Sequence, residues 1–82
     1  MIQNIGQAKE VMRDICGSLC LDPVLCEVIE TSRVKNMAPE FLMLINNTQG
    51  LSINQLATLG NNFWKTVDGV HAAGNVLVLR IS

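Results

Sequence analysis

Apolar residues near the start of the chain recur at helical spacing: Ile5, Ala8, Val11, Met12, Ile15 and Leu19. A helix over 5–19 is predicted, with Gly17 and Ser18 weakening its last turn. Asp22-Pro23 then pairs an N-cap carboxylate with proline at a first helical position. The helix it is expected to open shows Leu25, Val28 and Ile29 on one face and ends near Arg33 or Lys35. Pro39 moves Ala38 out of the helical region and begins a further predicted helix holding Phe41, Leu42, Leu44 and Ile45. The polar run Asn46, Asn47, Thr48, Gln49 and Gly50 reads as its end and a turn. Ser52 is the next N-cap, with Ile53, Leu56 and Leu59 behind it and Gly60 as the stop. Asn61 or Asn62 caps a last helix, whose Phe63, Trp64, Val67 and Val70 share a side and which Gly74-Asn75 ends. The tail Val76-Leu77-Val78-Leu79-Arg80-Ile81 is β-branched and apolar, the signature of a strand.

The expected fold is therefore mainly α: one domain over 1–82, four to five short helices and a single C-terminal strand. A lone strand leaves unpaired backbone groups on both edges. Residues 1–5 are one candidate partner. A second subunit is the favoured one, which makes Val76, Leu77, Val78, Leu79 and Ile81 expected interface residues.

Composition strengthens the expectation of association. Of 82 residues, 49% are hydrophobic and only 16% charged, with a mean hydropathy of +0.31. A chain this short buries only about 60% of its unfolded surface, so apolar residues left outside form patches of the kind that mark interfaces. The net charge of −1 and pI near 5.6 give a poor electrostatic footprint for a nucleic-acid binder acting alone. If DNA is a ligand, a more basic partner subunit supplies the charge, so either a homodimer or a hetero-oligomer with such a subunit is expected. No leader peptide or membrane span is predicted. The odd number of cysteines, Cys16, Cys20 and Cys26, argues against a secreted disulfide framework and for the cytoplasm.

Catalytic chemistry is not expected. The chain has one histidine, His71, and no tyrosine. Its serines, Ser18, Ser32, Ser52 and Ser82, sit in no nucleophile-elbow context, and Glu27 and Glu30 fall on a solvated face. Cys16 and Cys20 stand one helical turn apart, and with Cys26 and His71 they make up a Cys₃His ligand inventory for zinc. Their leucine and valine neighbours favour buried core thiols instead, so neither metal nor cofactor is expected.

Residues 50–81 have the grammar of a DNA-binding helix-turn-helix: a short helix from Ser52 to Leu59, a turn at Gly60, a second helix from Asn61-Asn62, then a strand. In such a pair the second helix enters the major groove by its first residues. Asn61, Asn62, Lys65 and Thr66 are accordingly the expected base- or phosphate-facing side chains. The stretch Leu51-Ser52-Ile53-Asn54-Gln55-Leu56-Ala57-Thr58-Leu59 resembles a leucine-rich stretch of FlhD, the helical subunit of flagellar master activators, and residues 33–45 are similar to the helix preceding it there. That resemblance implies an all-helical dimer that activates transcription beside a zinc-binding, more basic subunit. The residues 46–50 and the strand after Gly74 depart from the family's pattern. The expected function is a transcription-regulator subunit working in a complex. The rival expectation is an interaction factor that never touches DNA: an adaptor, an inhibitor or an antitoxin-like protein.

Overall fold

A computed structural model describes residues 2–31, 40–46 and 50–82. These residues form helix α1 (Ile5–Leu19), a single 3-10 turn (Pro23–Leu25), strands β1 (Cys26–Thr31) and β2 (Glu40–Ile45), helix α2 (Ile53–Asn62), and strands β3 (Val67–Ala73) and β4 (Val76–Ile81). The strands make one antiparallel sheet in the order β1-β2-β4-β3. The architecture is α+β, and the mainly helical expectation is overturned.

α1 forms where the periodicity places it. The Asn4 side chain accepts from the Gln7 N–H and caps its start. Its end carries a bond pattern usual for a terminal glycine: the Cys20 N–H bonds the Gly17 carbonyl and the Leu21 N–H bonds the Cys16 carbonyl. Cys20 takes the left-handed position itself, at φ 57°. Asp22-Pro23 also caps as expected, the Asp22 carboxylate accepting from the Val24 N–H, yet the helix stops after one turn. The residues that follow, Cys26-Glu27-Val28-Ile29-Glu30-Thr31, are rich in β-branched side chains that suit a strand better than a helix.

β2 corrects the helix expected over Phe41, Leu42, Leu44 and Ile45. A run of successive apolar residues fits a strand apolar on both faces as well as it fits a buried helix, and period alone does not separate them. The same correction removes helical structure from Glu40–Ile45 in the FlhD-like portion. Residues 33–39 and 47–49, including Arg33, Lys35 and Pro39, lie outside the described residues. α2 starts at Ser52 as expected, with a full capping box: Ser52 Oγ accepts from the Gln55 N–H, and Gln55 Oε1 accepts from the Ser52 N–H. It runs through Gly60 to Asn62. The expected last helix is absent: Val67 and Val70 lie in β3. Gly74-Asn75 ends no helix; it is the two-residue turn between β3 and β4, with Gly74 at φ 63°.

β4 is the expected C-terminal strand, and both of its neighbours lie within the chain, β2 on one side and β3 on the other. Its backbone needs no second subunit. Register alternates its side chains between two faces. Leu77, Leu79 and Ile81 align with Ile45, Met43 and Phe41 and, with Cys26 on β1, form the covered face. Against it pack Ala8, Ile15, Cys16 and Leu19 of α1 and Leu59 of α2, completing one core. The Gln55 side chain ties the helices together by donating to the Leu19 carbonyl at 2.9 Å.

Candidate interaction face of the sheet

Because both helices occupy one side of the sheet, alternate residues of every strand are left on the other. Register places Glu27 and Ile29 of β1 beside Leu44 and Leu42 of β2. Next to these stand Val78 and Arg80 of β4, and beyond them His71 and Gly69 of β3. Val76 continues the row opposite Ala73. Among the described residues, no helix covers this face. Its centre is an aliphatic strip of Ile29, Leu42, Leu44, Val76 and Val78, of which Ile29 is exposed and the others are half-buried.

Charged residues border the strip. Arg80 Nε donates to Asp68 Oδ1 at 2.7 Å. Asp68 is the extra residue of a bulge between Val67 and Gly69. The Arg80 side chain crosses over Gly69, whose missing Cβ would stand 3.6 Å from Arg80 Cβ. The bulge and the glycine thus let the guanidinium lie flat and leave a depression of about 340 Å³ lined by Leu42, Gly69, His71 and Val78, among others. Pairing with Asp68 holds the Arg80 guanidinium protonated above its ordinary range. On the opposite margin, Glu27 borders the strip on the β1 edge, and Glu30, aligned with Phe41, adds a second carboxylate to that edge on the helix side.

The residues expected to contact DNA are dispersed from their supposed setting. Asn61 and Asn62 are exposed, but they are the last two residues of α2. A helix C-terminus carries the negative end of the dipole and repels phosphate. Lys65 lies in the turn that follows, with its ammonium 5.1 Å from the centre of the Trp64 ring, and Thr66 precedes β3. Of the expected interface residues, Leu77, Leu79 and Ile81 are buried in the chain's own core, whereas Val76 and Val78 belong to the uncovered face. Alternation within a strand carried that division, and only the strand's partners were missing to apply it.

The cysteines and histidine do not converge. Cys16 and Cys26 are buried side by side, with Sγ atoms 2.9 Å apart. Burial, then the bond and proximity to Cys26, push the Cys16 thiol up to about 12. Cys20 is exposed at the end of α1, and His71 is exposed on β3. Among the described residues, no group of three or more side chains is placed to hold a metal ion, and no helix is long and apolar enough to cross a membrane.

No protein-family model, curated protein or solved structure matches this chain.

Proposed function

We propose that this chain is a protein-interaction domain that binds a partner protein through the uncovered face of its sheet. The observation that carries the reading is the aliphatic strip from Ile29 across Leu42 and Leu44 to Val78 and Val76, set on a rigid four-stranded platform. Antiparallel sheets commonly turn one face to water, and that face then alternates to polar residues. Here its two inner strands present leucine and valine, the composition of a surface that another protein covers. The acidic β1 edge suits a partner whose apolar patch is flanked by lysine or arginine, in keeping with a more basic subunit. The transcription-regulator expectation loses the helix pair on which its DNA contacts rested. A reducing compartment, the cytoplasm, fits the neighbouring Cys16 and Cys26 thiols.

The test is co-purification of the tagged chain from its native host, followed by cross-linking mass spectrometry. Variants Leu42→Lys and Val78→Lys should lose the partner, while Asn61→Ala, Asn62→Ala and Lys65→Ala keep it. If the lysine variants retain the partner, or if the alanine variants alone lose it together with promoter DNA, the interaction-face reading is wrong.

A further inference from the structure

The sheet has two edges, and they differ in chemistry. β1 carries Glu27 and Glu30 on its two faces, so a second β1 laid against it adds like charge on both sides of the sheet; charges of this kind blunt natural edges. The edge at β3 lacks such protection. Between the bulge at Asp68 and the turn at Gly74 runs Gly69-Val70-His71-Ala72-Ala73, a regular segment with no acidic residue, lysine, arginine or proline. Ala73 and Val76 flank a two-residue turn and so exchange hydrogen bonds, as do His71 with Val78 and Gly69 with Arg80. Val70 and Ala72 therefore direct their N–H and C=O groups outward from the sheet. Both residues are exposed, and Val70 is half uncovered at 50%.

Beside this edge, on the helix side, a groove of about 310 Å³ is lined by Leu56, Leu59, Gly60, Trp64, Val67 and Val70. Three of these are large and open to solvent: Trp64 at 67%, Val70 at 50% and Leu56 at 48%. An exposed strand edge and an apolar groove thus share one border of the molecule.

We infer that β3 pairs antiparallel with β3 of a second copy of this chain, joining two four-stranded sheets into one of eight strands. Self-complementarity fixes the occupant and the register. The unbulged segment is centred on His71, so a two-fold axis there sets Gly69 opposite Ala73 and Val70 opposite Ala72 of the other copy. The outward N–H and C=O groups of Val70 and Ala72 then bond each other, and every donor meets an acceptor. The axis stands perpendicular to the sheet, as antiparallel pairing of identical strands requires. Both pairs of helices consequently fall on one side, where the two grooves come alongside each other and cover Trp64, Val70 and Leu56. Those side chains supply roughly 300 Å² of apolar surface per copy, and the paired backbone brings the total towards the ~1,000 Å² of a specific interface. On the other side the two uncovered faces merge.

The experiment is sedimentation velocity of the full chain and its variants between about 1 and 100 μM, with far-UV circular dichroism to verify folding. The parent should shift from the 9.0 kDa monomer to a species of twice that mass. Ala72→Pro removes an outward donor while leaving the β3–β4 ladder intact, and should raise the dimer dissociation constant at least tenfold in a folded chain. His71→Lys sets two ammonium groups face to face on the axis and should do the same. His71→Cys, made with Cys20→Ser, should form an interchain disulfide on treatment with diamide, the two thiols losing two hydrogens to the diazene as it becomes a hydrazine. A parent that stays at 9.0 kDa throughout overturns the inference. So does a dimer that survives both edge variants and gives no interchain disulfide, including one dispersed only by Val78→Lys.

Discussion

Two neighbouring residues of β4 offer a direct test of which face of the sheet is core. Leu79 is fully buried, 0% exposed, aligned with Met43 on one side and Val70 on the other. Val78 points the opposite way and is half-buried. Leu79→Ala removes three carbons from a packed site and leaves a cavity, a change that costs about 2–5 kcal/mol. An 82-residue chain has a total stability of about 4–12 kcal/mol, so the substitution takes a large fraction of it. At a loss of ~3 kcal/mol the melting midpoint falls by roughly 12–24 °C. Val78→Ala removes two methyl groups already half in water and should cost about 1 kcal/mol. Urea denaturation followed by far-UV circular dichroism measures both, with equal m-values certifying that the comparison is between stabilities. Leu79→Lys, which would only loosen assembly if β4 were an interface strand, should prevent folding. Equal losses at positions 78 and 79 would refute the assignment of one covered and one open face.

The other expected outcomes concern α1 and its end. Cys20→Gly should stabilise the chain by about 1 kcal/mol in thermal or urea unfolding, since a left-handed residue with a Cβ is strained by an amount of that order. Gly17→Ala should add about 0.5–1 kcal/mol, because its Cβ would meet nothing within 4 Å and alanine restricts the unfolded chain; a neutral result would show a frayed last turn. Stability should fall as pH rises from 9.0, where the thiol of the unfolded chain loses its proton, towards about 12, where folded Cys16 does. The slope is at most about 1.4 kcal/mol per pH unit from this group, and it should flatten in Cys16→Ala.

What the sequence made legible follows from how much each signal is local. α1 and the N-cap at Ser52 depend on residues within four positions of each other, and both formed as expected, the cap completed by Gln55. β4 was legible because Val76 to Ile81 is short, β-branched and apolar and follows Gly74-Asn75 directly. β2 was not legible because it pairs with β4 across 40 positions at Phe41 and Ile81. β3 was not legible, although it adjoins β4 through a two-residue turn, because the bulge at Asp68 breaks its alternation. Val67 and Val70 are three apart, a spacing that fits a helix face as well as one side of a strand interrupted by a bulge. Gly74-Asn75 between two valine-containing runs was the available hairpin signal. The unpaired backbone of a solitary β4 was the second, and it required partner strands inside the chain as readily as outside it.

The element order explains why the candidate face and the fold depend on each other. Helix, strand and strand occur twice, α1-β1-β2 and then α2-β3-β4, and the two hairpins meet only where β2 pairs with β4. A two-stranded hairpin alone is marginal in water, so neither half should hold its shape without the other. Leu59 of α2 joins the same core as Ile15 of α1, and Gln55 bonds the end of α1, which locks the halves from the helix side. Among the described residues the other side has no such lock: Leu42 and Leu44 belong to the first half and Val76 and Val78 to the second. A partner seated across them would clamp the β2–β4 seam from the uncovered side. Binding of this kind stabilises the folded state by mass action, about 2.7 kcal/mol when the partner is present at a hundredfold its dissociation constant. For a domain this small, if the proposed partner binds there, occupancy of that face would set how much folded protein persists.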